Sequence, residues 1–207
     1  MSRRSSSRRW LERHFDDEYV KRAQQAGYRS RAAFKLLELN ARDRIFRNGA
    51  NVVDLGAAPG GWSQVARESV GSAGRVVAID LLPIEPALAG VEAIIGDFSD
   101  ETVCSELEQL VGIGKVDVVL SDMSPNLSGI REIDQPRGIY LTELAVDFAS
   151  HVLAKGGNLV IKTFQGEGVD SVVKQLRSQF EQVAIRKPKA SRSESREIYL
   201  VSKRFGV

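Results

Sequence analysis

The chain has 207 residues, of which 43% are hydrophobic, 27% charged and 7% aromatic, and its formal net charge is +2. These values are typical of one globular domain with a sizeable core and exclude a disordered chain. The single cysteine, Cys104, excludes an internal disulfide, and no apolar run approaches the roughly 18 residues of a membrane helix. We therefore expect a reduced, cytoplasmic protein without a membrane span. The start, MSRRSSSRRW, lacks the apolar stretch of a secretory signal, although a transit peptide stays open.

Charge is distributed unevenly along the chain. Residues 1–47 include 13 basic and 6 acidic residues, residues 48–185 include 9 and 19, and residues 186–207 include 7 and 2. Two basic ends therefore enclose an acidic middle. Because Lys and Arg that displace counterions from phosphates supply most sequence-independent affinity for nucleic acid, this asymmetry favours a polyanionic partner. Charge alone leaves a second interpretation equally open, in which both ends are solvated tails.

The predicted elements begin with two helices, Trp10–Gln25 and Ser30–Leu39, with Ser30 as a start signal for the second. Short β-branched runs then alternate with segments of helical spacing, which predicts βαβ units and a parallel sheet covered on both faces; the runs are Asn51–Leu55, Arg75–Asp80, Val91–Gly96, Val116–Asp122 and Asn158–Phe164. Two final runs, Val183–Arg186 and Glu197–Ser202, have no helix between them. We therefore predict an α/β fold with a mostly parallel seven-stranded sheet and a C-terminal antiparallel hairpin.

A glycine-rich turn follows the first predicted strand. Asp54 closes that strand, LGAAPGGWS follows at 55–63, and helix-forming residues begin at Gln64. Gly56 and Gly60 would let the backbone approach a ligand closely, at the sheet edge where α/β folds bind their ligands. The spacing is G-x-x-x-G-G, which differs from the dinucleotide fingerprint and from a P-loop. A purely structural turn is the alternative.

Acidic residues recur at the ends of the predicted strands. Carboxylates there accept hydrogen bonds and favour cations, so they suit a ligand with a ribose diol, an exocyclic amine and a positive centre. S-adenosylmethionine has all three groups. Independent helix caps or turns are the alternative, because Asp is common at such positions. The residues are Asp54, Asp80, Asp97 and Asp122.

A lysine stands inside the apolar strand LVIKTF at 159–164. Lysine is rarely buried without a partner, so we predict an ion pair between Lys162 and Asp122 at the same sheet edge. The alternative is an amine that reaches solvent along a packed stem. Lys35 and Glu197 are, on their own, an ordinary helix lysine and an ordinary strand-end acid.

Five segments together resemble the FtsJ/RrmJ heat-shock methyltransferases, which 2′-O-methylate ribosomal RNA; they are SRAAFKL at 30–36, DLGAAPGGW at 54–62, SDMSPN at 121–126, VIKTFQGEG at 160–168 and SREIYLV at 195–201. The resemblance covers nearly the whole chain and implies a Rossmann-like class I S-adenosylmethionine-dependent methyltransferase fold. It implies a catalytic tetrad formed by Lys35, Asp122, Lys162 and Glu197. Cofactor contacts are expected in the glycine-rich loop and at strand ends, from Asp54, Gly56, Gly60, Trp62, Asp80, Asp97 and Asp122.

The bacterial branch of this family is the most similar, because the chain is barely longer than a bare catalytic domain. In that branch the substrate is one uridine of 23S ribosomal RNA in the large subunit. We accordingly expect a basic N-terminal helical extension at 1–47, a catalytic domain at 48–207, a monomer and no metal. One extra residue around Leu88–Gly90 departs from the family pattern.

Several alternatives stay open at this point. Lys162 acts either as a general base with a depressed pKa or as a cation that orients the acceptor hydroxyl. The substrate is alternatively another RNA, such as tRNA or a cap, and a non-catalytic RNA-binding module or a nicotinamide-dependent dehydrogenase would share part of the pattern. We expect the basic ends to hold RNA, and His14, His151 and Cys104 to be structural. Four aromatic residues either stack on a flipped base or pack in the core, namely Tyr19, Tyr28, Phe34 and Tyr140.

Overall fold

The computed structural model describes residues 17–207, and two helices precede its sheet, α1 (Glu18–Gln25) and α2 (Ala32–Asp43). Asp17 caps α1 by accepting a hydrogen bond from the main-chain N–H of Tyr19 at 3.0 Å. The first predicted helix is confirmed over Glu18–Gln25, but Asp17 is an extended cap, so this helix begins at Glu18 and does not include Asp17; residues 10–16 lie outside the described residues. The second helix extends beyond Leu39 and ends where Arg44 takes a left-handed conformation.

Seven strands form one sheet in the order β3-β2-β1-β4-β5-β7-β6. The first five strands are mutually parallel, and β7 runs antiparallel to both of its neighbours. The predicted architecture, mostly parallel with an antiparallel C-terminal hairpin, is therefore confirmed. The strands are β1 (Asn51–Leu55), β2 (Arg75–Asp80), β3 (Val91–Ile95), β4 (Val116–Ser121), β5 (Leu153–Phe164), β6 (Phe180–Arg186) and β7 (Glu197–Phe205).

Helices cover both faces of the sheet, and four follow the first strand, α3 (Gly61–Val70), α4 (Glu101–Val111), α5 (Arg131–Val152) and α6 (Val169–Gln179). One apolar cluster joins α4, α5 and α6 to the sheet through Leu107, Phe148 and Leu176. A second cluster joins α2 and α3 to the other face through Leu36 and Val65. Burial on both faces explains why the strand sequences are nearly continuous apolar runs. No helix within residues 17–207 is long and apolar enough to cross a bilayer.

Strand β5 begins five residues earlier than the sequence predicts. Leu153 pairs with Val116 and Asn158 pairs with Val118, so residues 154–157 bulge out of the ladder between β4 and β5. Gly156, at φ 84°, lies within this bulge. The two consecutive glycines make the segment look like a turn in the sequence, whereas the structure uses it as an interruption within one long strand.

Candidate active site

Lys162 and Asp122 meet at the carboxyl ends of two adjacent parallel strands. Ser121, the last residue of β4, pairs with Ile161 of β5, and this register places the next residues of both strands side by side. The Nζ of Lys162 lies 3.1 Å from Oδ1 of Asp122 and donates to the main-chain oxygen of the same residue at 2.5 Å. The contact with Oδ1 is an ion pair rather than a well-directed hydrogen bond, because that buried oxygen has no hydrogen-bond donor within the described chain. The Lys162 side chain is only 9% exposed.

A second pair joins α2 to the start of β7. The Nζ of Lys35 lies 2.6 Å from Oε1 of Glu197, and both side chains are largely buried. The hydroxyl of Ser191 donates to the same carboxylate oxygen at 2.7 Å. Burial disfavours the charged form of Glu197, but Lys35 and Ser191 outweigh it and hold the pKa of Glu197 below its ordinary value. The second pair is therefore an ionised carboxylate held by a cation and a hydroxyl.

Tyr199 connects the two pairs. It stands opposite Lys162 in the ladder between β5 and β7, and its hydroxyl donates to Glu197 at 3.3 Å. The Nζ of Lys35 lies 5.7 Å from the centre of its ring. Burial, with the charges of Asp122 and Glu197, raises the pKa of Tyr199 well above its ordinary value. The four predicted tetrad residues therefore surround one buried phenol.

Tyr199 is not among the site residues predicted from the sequence, although the period of the strand indicates it. Residues two apart on a strand project from the same face of the sheet, so a functional Glu197 places Tyr199 on the same side. The tyrosine was instead included in an ordinary apolar strand. A tyrosine in an apolar strand is an ordinary core residue, so nothing else in the sequence indicated a function for it. In the structure its side chain is fully buried.

A cavity of about 500 Å³ lies beside the pairs, at the carboxyl rim of β1, β2 and β4. Four of the residues predicted to contact a cofactor line it: Gly56, Asp80, Asp97 and Asp122. The other three, Asp54, Gly60 and Trp62, do not line it. Asp122 is the one tetrad residue in this lining, so it joins the acidic wall of the cavity to the lysine–carboxylate pairs.

The loops beside the cavity hold its acidic side chains by main-chain hydrogen bonds. Asp80 accepts from the N–H groups of Ala58 and Leu82, both at 2.9 Å. Asp97 accepts from the main chain and hydroxyl of Ser99, and these bonds keep the pKa of Asp97 below its ordinary value. Both carboxylates therefore form the turns that the alternative interpretation expects while also lining the cavity.

Gly56 permits the close packing of the loop that enters the cavity. Its φ is 75°, and a Cβ at this position would lie 2.7 Å from Cγ of Met123. Gly60, at φ 106°, packs instead against Leu88 and Ile84, so a Cβ there would lie 2.8 Å from Cδ1 of Leu88. The segment containing the extra residue therefore packs against the glycine-rich loop.

Asp54 and Trp62 lie in the core behind the loop. Asp54 is fully buried, and its Oδ2 accepts from the hydroxyl of Ser63 at 2.6 Å, while Oδ1 has no partner. Burial raises the pKa of Asp54 to about 7. Trp62 donates through Nε1 to the main-chain oxygen of Ala32 at 2.9 Å, and its ring lies 5.8 Å from that of Tyr199. Both residues thus support the site from within the fold.

Several basic side chains at the two ends of the chain take part in internal contacts. Arg186 forms two hydrogen bonds with the carboxylate of Asp43, at 2.7 and 3.0 Å. Arg31 pairs with Asp17 and also donates to the main-chain oxygen of Ala190. These contacts fasten the segment before β7 to the N-terminal helices. Arg3, Arg4, Arg8 and Arg9 lie outside the described residues.

The remaining residues singled out from sequence have ordinary neighbours. Phe34 packs against the rings of Tyr19 and Tyr28, at 5.7 and 5.8 Å between centroids, whereas Tyr140 is half exposed. Nδ1 of His151 lies 2.8 Å from Oε1 of Glu108, and burial raises the pKa of Cys104 to about 11. Within residues 17–207, no group of His, Cys, Asp and Glu is arranged to hold a metal ion. His14 lies outside that range.

The strand order, the antiparallel β7 and the cavity at the carboxyl rim define a Rossmann-like methyltransferase fold. A protein from Plasmodium falciparum named as a ribosomal RNA methyltransferase has a similar structure, with a TM-score of 0.75 and 29% identity over 86% of this chain and 98% of its own. The model of the FtsJ-like methyltransferases matches residues 28–205. The chain belongs to that family.

Curated relatives match along their full length. The ribosomal RNA large subunit methyltransferase E of Cellvibrio japonicus is 57% identical over 205 residues, which cover 99% of this chain and 97% of the relative. The protein of the same name from Legionella pneumophila strain Corby is 53% identical over 207 residues and covers all of both chains. The resemblance stated from five sequence segments is thereby confirmed.

Proposed function

We propose that the protein transfers a methyl group from S-adenosylmethionine to the ribose 2′-hydroxyl of one uridine in 23S ribosomal RNA of the large subunit. The observation that carries this proposal is the arrangement of two lysine–carboxylate pairs around Tyr199, one of which contributes Asp122 to the lining of an acidic cavity. Relatives that share more than half of their residues with this chain are named as large-subunit ribosomal RNA methyltransferases, which supports the substrate class. All of these groups come from a single chain, and we propose that a monomer acts.

The acidic cavity fits the proposed methyl donor. Its volume of about 500 Å³ accommodates a nucleoside with an amino-acid arm, and its carboxylates keep lone pairs beyond those used by the loops. We propose that Asp80 binds the ribose hydroxyls of the donor and that Asp97 binds its adenine amine. Gly56 and Asp122 would lie beside the positively charged part of the donor. Asp54, Gly60 and Trp62 would shape the loop from behind. When bound, the donor supplies an electrophilic methyl group on a sulfonium.

The lysine pairs would position the acceptor. Lys162 already donates to the main-chain oxygen of Asp122 and forms an ion pair with its carboxylate, and both partners suit an ammonium group. We propose that its remaining N–H holds the acceptor oxygen so that a lone pair points along the line of transfer. Asp122 and Glu197 would align Lys162 and Lys35, and the two amines would stabilise charge on the oxygen. The hydroxyl proton would leave for water as the new carbon–oxygen bond forms and the carbon–sulfur bond of the donor breaks, so the oxygen would carry the developing negative charge that the two amines stabilise.

Methyl transfer to isolated large subunits tests the proposal. Unmethylated subunits and a labelled methyl donor should give label in one ribose, located by fragment mapping. The variants K162A and D122A should lose the transfer while still unfolding in one cooperative transition, which shows that they remain folded. Lys174, an exposed lysine of α6, provides the control K174A, which should transfer normally. Label in a base, or in tRNA alone, would contradict the proposed substrate, and full activity of K162A would contradict the role given to that lysine.

A further inference from the structure

A cluster of basic side chains lies at the rim of the sheet opposite the tetrad. A cavity of about 350 Å³ opens there, and five cationic side chains line it: Arg44, Arg47, Lys155, Lys203 and Arg204. They come from the segment after α2, the bulge of β5 and the end of β7. Asp117 at this rim and Asp122 at the other are five residues apart along β4, or about 16 Å at the rise of a strand. The cavity is therefore separate from the active site.

The negative charge within this cavity is already engaged. Asp117 is the acidic residue in its lining, and its two oxygens accept from Arg47 at 2.7 Å and from the main-chain N–H of Asn51 at 2.8 Å. Within residues 17–207, no side-chain carboxylate pairs with Arg44 or Lys155. Two cations therefore face the cavity without a counter-charge from the described part of the chain.

Backbone conformation singles out the same cavity. Two non-glycine residues among 17–207 have positive φ, Arg44 at 50° and Arg204 at 59°, and both line it. Arg44 occupies the position after a helix where glycine is the usual residue, since a side chain is strained there. Strained backbone of this kind clusters at binding sites, where the side chain has a use. The guanidinium of Arg204 pairs with Glu181, whereas no carboxylate among residues 17–207 pairs with Arg44, so the strained backbone points to a use for the guanidinium of Arg44.

We infer that this cavity binds phosphate groups of an RNA backbone, as a second contact distinct from the one at the tetrad. Guanidinium and ammonium groups match phosphate oxygens, and an RNA strand offers phosphates in the series that spaced cations require. RNA is favoured over an acidic protein because the proposed function already brings RNA to this molecule. The inference rests on that RNA partner but not on the methyl transfer itself.

Binding of labelled polyuridylate, measured by fluorescence anisotropy at several salt concentrations without a methyl donor, tests the inference. The variant R44G should lower the slope of log affinity against log salt by about 0.7, as expected for one lost phosphate contact on a single strand. Because glycine also relieves the backbone strain at this position, the unfolding midpoint of the R44G variant should rise by about 2 °C. A purely structural role for Arg44 predicts no change in RNA affinity. The double variant R44G/K155Q should lower the slope by about 1.4.

The control K174Q/R177Q removes the same charge from the exposed face of α6 and should leave the slope unchanged. Equal losses in both double variants would indicate a net-charge effect and overturn the inference. Unchanged RNA binding in R44G/K155Q would also overturn it, and a simultaneous loss of poly-L-glutamate binding would reassign the cavity to an acidic protein. Failure of the unmodified protein to bind polyuridylate at low salt would overturn the RNA partner and this inference together. If the variants change polyuridylate binding as expected but the unmodified protein transfers no methyl group, only the proposed reaction is refuted.

Discussion

The buried carboxyl of Asp54 makes the stability of the fold depend on pH. It is fully buried behind the glycine-rich loop, Ser63 donates to one oxygen, and the other oxygen has no partner. Burial raises its pKa to about 7, and the charges of Asp122 and Asp80 act in the same direction against the opposing bond from Ser63. The ordinary value, 3.8, applies to the unfolded chain. Between these two values the folded protein binds a proton that the unfolded chain has released.

The sign of the effect follows from this difference. Because the folded state binds more protons, the free energy of unfolding falls as pH rises from about 4 to about 7 and levels off above that range. With these two pKa values, the contribution of Asp54 falls by about 2 to 3 kcal/mol between pH 5 and pH 8. Because Asp54 is buried, salt screens its charge little, so the pH dependence of stability should change little with salt concentration.

The variant D54N removes this titration while keeping the shape of the side chain and the acceptor for Ser63. Urea unfolding of both proteins at pH 5, 6, 7 and 8 gives the difference in unfolding free energy at each pH. Other titrating groups, including His151, cancel in that difference. We expect D54N to gain about 2 to 3 kcal/mol relative to the unmodified protein from pH 5 to pH 8. A difference independent of pH would show that Asp54 has the same proton affinity in both states.

Two further variants test the surroundings of the site. Gly56 and Gly27 have nearly the same φ, 75° and 76°, but a Cβ at Gly56 would lie 2.7 Å from Met123 whereas nothing lies within 4 Å of one at Gly27. In urea unfolding, G56A should therefore cost about 1 to 3 kcal/mol more than G27A, and equal costs would exclude the clash. The variant S191A removes a hydrogen bond that stabilises ionised Glu197, so the pKa of that carboxyl should rise in a carbon-13 NMR titration. An unchanged titration would mean that Lys35 alone holds Glu197.

The sequence predicted the parts of the fold and site that depend on local pattern. Strand cores follow from β-branched runs, and the meeting of Lys162 with Asp122 follows from parallel strands that end at one rim. The pairing of Lys35 with Glu197 came only from the resemblance, because 162 residues separate them and neither residue is unusual in its own segment. The membership of the tetrad in the reaction stays a prediction.

Features made by distant segments could not be predicted in this way. The sequence places Arg186 in a basic end suited to RNA, whereas the structure pairs it with Asp43 across 143 residues. The cavity around Arg44 and Lys155 is assembled from four segments, each of which looks like an ordinary loop or strand end. Positive φ at an arginine also leaves no mark in the sequence, because it contradicts local preference. Tertiary contacts decide all three features.

The direction of β7 has a consequence for shortened chains. Since β7 runs opposite to β5, it contributes Glu197 with its first residue and uses the rest of its length for pairing with β5 and β6. A protein that terminated just after Tyr199 would retain every proposed reactive side chain but would lose most of the pairs that join β7 to β5 and β6. Such a truncation is expected to be inactive through loss of anchoring, so a nonsense mutation near the end of the gene would be as damaging as one in its middle.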